Sequence, residues 1–238
     1  MGMPITIDVR DATASNEVID EVFADLRLVD ATFSPFIATS AVTRLNAGTL
    51  ALAEAPPELH EVMALCRRYT ALTDGYFDPW RDGRLDPSGL VKGWALARAA
   101  KILDTHGYTS FFADGAGDVT TRGDAGEGRP WRVGIRHPVE RDKVARVVLA
   151  RDLAVATSGT YEKGEHIYDP HTGRPVTSLL SMTIVGPDIV AADVYATAAF
   201  AMGPAGLAFI EERPGYEAYA IAPDLVASWT AGFDALCG

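Results

Sequence analysis

The periodicity of the apolar residues changes character near residue 110, and that change limits the folds open to this chain of 238 residues. Before it, apolar positions recur mostly at helical spacing. Val18, Ile19, Val22, Phe23, Leu26 and Val29 predict a helix over 15–30, with Ser15 as its N-cap. Leu59, Val62, Met63, Leu65 and Cys66 predict a second over 57–72, after Pro56-Pro57. A loop dense in Asp, Gly and Pro, from Thr73 to Gly89, leads into an alanine-rich helix at 90–104. Only residues 3–10, with Ile5, Ile7 and Val9 alternating, read as a strand in this first part. Beyond residue 110, short β-like runs at 110–113, 117–121, 131–135, 145–150 and 153–157 are separated by Gly and Pro. A strand from Leu180 to Val185, a helix over 189–202, a short helix over 204–212, strands at 216–222 and 225–229 and a last helical turn complete the chain. Strands and helices do not alternate regularly, which argues against a doubly wound nucleotide fold. The expectation is an α+β fold, a largely antiparallel or mixed sheet with flanking helices, in one domain over residues 1–238 with room for two lobes.

Charge narrows the partners. Lys and Arg total 21 against 32 Asp and Glu, a formal net charge of −11, and Arg67-Arg68 is the only basic pair. Such a chain is a poor binder of nucleic-acid phosphates. An anionic ligand would need backbone N–H groups, a few placed cations or a metal. The two cysteines, Cys66 and Cys237, make neither a disulfide framework nor a zinc site. Cys66 reads as core, and Cys237 as part of a fraying end. No apolar run is long enough to span a bilayer. Met1 to Arg10 lacks a signal-peptide pattern and no lipid-attachment cysteine sits near the start, so the cytoplasm is the expected compartment.

Five segments could carry chemistry, and each has a plain structural alternative. Asp86-Pro-Ser-Gly-Leu-Val-Lys92-Gly93 opens a helix, where unpaired N–H groups and the dipole suit phosphate; Asp86 or Ser88 capping the helix is the alternative. Asp114-Gly-Ala-Gly-Asp118 brings backbone close to a ligand or simply joins a hairpin. Thr157-Ser158-Gly159 offers hydroxyls and amides at a strand end, or a plain turn. His166-Ile-Tyr-Asp169-Pro170-His-Thr172-Gly173-Arg174 clusters a histidine with a dense polar turn. Asp193 and Thr197, four apart, share a helix face and form a hard-oxygen pair of the kind magnesium takes; an acid placed near a helix start for the dipole is the alternative.

Their order decides between these readings. Phe33-Ser-Pro-Phe, Ser40 through Asn46, Thr73-Asp74-Gly75-Tyr76-Phe77-Asp78-Pro79, Leu90-Val-Lys92-Gly93-Trp94-Ala95, Gly115-Ala-Gly117-Asp118 and Trp131-Arg-Val-Gly-Ile135 follow one another. Thr157-Ser158-Gly159, His166 through Gly173 and Ala192-Asp193-Val-Tyr-Ala-Thr197 continue the series. Over roughly residues 2 to 205 this resembles the ApbE family of FAD:protein FMN transferases. The resemblance implies FAD as substrate, magnesium as cofactor, and transfer of the FMN half to a threonine or serine of a target flavoprotein with release of AMP. It implies a metal held by Asp193, Thr197 and the Val91 carbonyl. It implies Lys92, His166 and Asp193 in catalysis, with His166 in proton transfer or orienting the leaving group. Tyr76, Asp78, Lys92, Gly93, Gly117, Asp118, Thr157, Ser158, Gly159 and His166 are the nucleotide contacts it implies. An FAD diphosphatase or a flavin-binding protein without turnover would need the same pocket. The chain departs from the family pattern at Trp80, Trp94, Ala97 and Ala116, all expected near the flavin or adenine pocket.

Overall fold

The computed structural model describes residues 3–140, 142–160 and 167–238. Helix α1 (Asn16–Phe33) starts at Ser15, whose hydroxyl accepts the Val18 N–H, and buries Val22, Leu26, Val29 and Phe33 along one stripe. Helix α2 (Ala41–Asn46) is capped in the same way by Ser40. Helix α3 (Pro57–Leu72) begins on a proline, which has no N–H to leave unpaired. Helices α4 (Ser88–Thr105), α5 (Ile189–Ala201) and α6 (Gly206–Glu211) follow. Of the thirteen residues of α5 all but Thr197 are buried, and six are alanine, so the helix sits between its neighbours with little side-chain bulk to separate them.

The strands are β1 (Ile5–Val9), β2 (Trp80–Arg81), β3 (Arg84–Leu85), β4 (Phe111–Gly115), β5 (Asp118–Arg122), β6 (Trp131–Arg136) and β7 (Val144–Ala150). They continue with β8 (Ala154–Gly159), β9 (Tyr168–Asp169), β10 (Arg174–Pro175), β11 (Ser181–Gly186), β12 (Glu217–Ile221) and β13 (Ala227–Trp229). Seven form one sheet in the order β1-β4-β5-β8-β11-β12-β13. Every neighbouring pair in it is antiparallel. β6 and β7 make a separate ribbon, and β2–β3 and β9–β10 are small hairpins.

The two-residue period of the strands sorts side chains between the two faces. Phe111, Ala113, Ala154, Ala156, Met182 and Ile184 join the larger core beneath the helices. Val155, Val185, Tyr219 and Ile221 point the other way and meet Trp131, Ile135 and Val148 of the ribbon and Phe233 of the last turn. The result is an α+β architecture of helices, antiparallel sheet and covering ribbon. Among the described residues no helix is long and apolar enough to cross a membrane.

Three features differ from the sequence reading. The loop 73–89 contains the β2–β3 hairpin, and the polar turn after His166 contains β9–β10. Helix α2 stands in a stretch with no sustained apolar period. Cys237 does not fray: it bridges to Val148, and its thiol donates to the Phe233 carbonyl at 3.6 Å.

Candidate functional site

α4 crosses α5 closely enough that a Cβ on Gly93 would lie 2.7 Å from the Ile189 carbonyl oxygen and 2.9 Å from the Asp193 Cβ. Glycine is required there for packing, and its N–H donates to Asp193 Oδ2 at 2.8 Å. Gly93 is therefore buried between helices. One turn earlier, Gly89 gives α4 a similar approach to Thr197: a Cβ on it would sit 3.4 Å from the Thr197 hydroxyl oxygen. Among the described residues no side chain caps α4; Asp86 instead accepts the Ser88 N–H at 3.1 Å.

The helix crossing brings Asp193 and Thr197 to the end of the sheet where β5 and β8 part. These strands pair at Val119–Val155 and Thr120–Ala154. One step further the backbone ladder stops, and the Asp118 side chain spans the opening by accepting the Thr157 N–H at 3.0 Å. Backbone groups alternate in direction along a strand. Thr160 donates to Leu180 on the β11 side, so Gly159, in step with Thr157, turns its N–H toward the opening. Ser158 faces the helices, its hydroxyl 3.3 Å from that of Thr197. The Thr157 hydroxyl is 2.8 Å from that of Thr183.

Charge is concentrated at this point. The Lys92 ammonium lies 2.7 Å from Asp118 Oδ2 and 4.0 Å from Asp193 Oδ1. Asp118 is 1% exposed and Asp193 4%. Burial pushes the Asp193 carboxyl well above the usual carboxylate range, and the Asp118 charge adds to this; Lys92 and the Gly93 N–H oppose it.

All of this opens on a cleft of about 1340 Å³ lined by Val91, Lys92, Asp193, Thr197, Thr157, Ser158 and Gly159. The cleft continues over the β4–β5 turn, where Ala116 and Gly117 both hold positive φ (53° and 94°). Gly117 donates its N–H to Asp114. Tyr76 and Asp78 line another wall; Asp78 accepts the Trp80 N–H at 2.9 Å and Tyr76 meets the His171 ring edge-on at 4.5 Å. Two walls are joined by Arg81 of β2, whose guanidinium lies 3.8 Å from the ring centre of Tyr168 in β9. Neither that contact nor the role of Gly89 had a signal in the sequence, because both depend on segments distant along the chain.

The structure thus gathers Lys92, Val91, Asp118, Thr157, Ser158, Gly159, Asp193 and Thr197, with Tyr76, Asp78 and Gly117 on the same cleft and Gly93 behind it. His166 lies outside the described residues. Two expectations are corrected. Trp94 does not face the cleft; it is buried against Phe33 with its indole N–H donating to Glu61 at 2.9 Å. Ala97 also lies off the cleft, packed against the larger core. Trp80 and Ala116 do line it.

The donors fit a hard cation. A carboxylate and a hydroxyl one turn apart on α5, beside a second hydroxyl, are oxygen ligands of the type magnesium takes. Among the described residues no three His, Cys, Asp or Glu side chains cluster as a metal site, so a cation here would rest on this one acid with hydroxyl and backbone oxygens.

A family model described as the ApbE family matches residues 1–82 and 80–220. The chain is similar to the FAD:protein FMN transferase of Escherichia coli (strain K12), 29% identical over 147 residues, which are 58% of this chain and 42% of that protein. It is similar to the FAD:protein FMN transferase of Treponema pallidum (strain Nichols), 34% identical over 168 residues, 63% of this chain and 46% of the other. The chain spans less than half the length of these curated relatives. A crystal structure of the apbe protein from Thermotoga maritima superposes with a TM-score of 0.88 at 23% identity, over all of this chain and 96% of that one, which shows a shared fold. With the matched residues covering most of its length, the chain belongs to the ApbE family.

Proposed function

We propose that this protein is a magnesium-dependent FAD:protein FMN transferase whose acceptor is a threonine or serine of a target flavoprotein. The observation that carries the reading is the meeting of Asp193, Thr197, Ser158 and Lys92 at one end of a cleft large enough for a dinucleotide. The names of the relatives support it. In this reaction the acceptor oxygen bonds to the flavin-side phosphorus and the bond from that phosphorus to the bridging oxygen breaks. AMP leaves, and the hydroxyl proton passes to a base, the role proposed for His166. Such transfers ask mainly for positioning and charge neutralisation.

Asp193 and Thr197, with the Val91 carbonyl, would hold magnesium, which when bound neutralises charge on the diphosphate. The outward N–H of Gly159 and the Ser158 hydroxyl present donors to phosphate oxygens. Tyr76, Asp78, Gly117 and Asp118 shape the nucleotide pocket around them. We read the described residues as one domain, because the seven-stranded sheet draws β1 from one end of the chain and β13 from the other.

Titration of the purified protein with FAD, FMN and riboflavin tests the site. FAD should bind most tightly, since the contacts are to diphosphate and adenylate. Equal affinity for FAD and riboflavin would remove the basis for every phosphate contact above.

A further inference from the structure

We propose that Lys92 and Asp118 form an internal strut, and that Lys92 serves the site as counter-ion to Asp118 rather than as a ligand of the diphosphate. The inference rests on the functional reading above and concerns how that same site is held in shape.

One oxygen of the Asp118 carboxylate is hydrogen-bonded and the other is ion-paired, with no hydrogen bond of its own among the described residues. Oδ1 accepts the Thr157 N–H where the β5–β8 ladder ends, and Oδ2 faces the Lys92 ammonium at 2.7 Å. One side chain therefore joins three segments, the first turns of α4, the start of β5 and the end of β8. The next residue of α4, Gly93, holds Asp193 through its N–H. The two carboxylates are thus laced to adjacent positions of one helix, and both are almost fully buried.

Burial decides which task the ammonium performs. A buried carboxylate without a partner is costly, and breaking a buried pair is among the most damaging single changes. Among the described residues Lys92 is the one cation within ion-pair distance of either acid, one ammonium against two carboxylates. Were it to move onto a phosphate, Asp118 would stay buried with its counter-ion gone, and the Thr157-Ser158-Gly159 strand end would lose its anchor. Were Asp118 absent, Asp193, 4.0 Å away, would become the nearest described carboxylate to the ammonium, which would there compete with magnesium for the same oxygens.

The proposal predicts a particular sign of coupling between Lys92→Met and Asp118→Asn in the full chain. The double variant keeps the same net charge at the site as the parent; each single variant does not. Without ligand or metal, Lys92→Met should lower the Tm by roughly 10 °C. Adding Asp118→Asn should recover at least half of that loss. In magnesium titrations of FAD binding followed by flavin fluorescence, Asp118→Asn should raise the half-saturating magnesium by about tenfold. Adding Lys92→Met should bring it back toward the parental value. The proposal is overturned if Asp118→Asn leaves the Lys92→Met protein as unstable or more so, or if Lys92→Met weakens FAD binding further in the Asp118→Asn background, as a direct diphosphate ligand would. Should the parent take no FAD at all, the transferase reading falls, and the thermal comparison still decides on the strut.

Discussion

Asp193 is held where a carboxylate is costly, between alanines of α5 and the backbone of α4. Burying such a group costs stability. Asp193→Asn retains an oxygen for the Gly93 N–H and removes the buried acid. The ligand-free protein should then gain about 1 kcal/mol or more in denaturant unfolding, while magnesium-dependent FAD cleavage falls at least about a hundredfold. Cleavage at the parental rate would remove the metal assignment. Ala116 presents the opposite case. It occupies the first central position of the β4–β5 turn at φ 53°, a conformation that costs a non-glycine residue about 1 kcal/mol. Ala116→Gly should stabilise the protein by about that amount; an unchanged or lower midpoint would show that the methyl makes a compensating contact in the cleft.

At the scale of elements, the site depends on how close α4 comes to α5. Gly93→Ala places a methyl 2.7 Å from a carbonyl oxygen that belongs to backbone and cannot rotate away. Overpacking of this kind costs about 1–3 kcal/mol, and the Tm should fall by roughly 5–10 °C with magnesium affinity falling alongside. A variant with parental Tm would mean that the helices separate freely. The same elements show what was legible in the sequence. Helix 57–72 was, because Pro56-Pro57 fixes its start and five apolar residues share a stripe. The Asp193–Thr197 pair was, because four residues make about one helical turn. Trp94 was misplaced, although the same geometry argues against it: two residues from Lys92 is about 200° around α4, the side facing Phe33 and Glu61. The hairpins β2–β3 and β9–β10 are two residues per strand, too short for any period, and Arg81 over Tyr168 joins them from far along the chain. The Asp118–Thr157 bond depends on where two strands diverge, which no local pattern encodes.

For the whole molecule, the two cysteines give a reading of cooperativity. Burial pushes the Cys66 thiol up to about 12, and it sits in the core beneath the helices, whereas Cys237 is half-buried at the chain end. Alkylation at pH 8 should modify Cys237 first, and Cys66 only at the rate of global unfolding, as one cooperative domain requires. Labelling of Cys66 well below the unfolding transition would separate the helical layer from the sheet. The transferase reading makes its own demand on the whole protein, since the cleft must keep water from the phosphorus until an acceptor hydroxyl arrives. The direct measurement is intact-mass analysis of a target flavoprotein domain after incubation with this protein, FAD and magnesium. The account predicts one added FMN on a single hydroxyl residue, AMP in equal amount, and loss of both when the acceptor threonine becomes alanine. Rapid release of free FMN and AMP, unchanged by the target and with no modified protein, would contradict it.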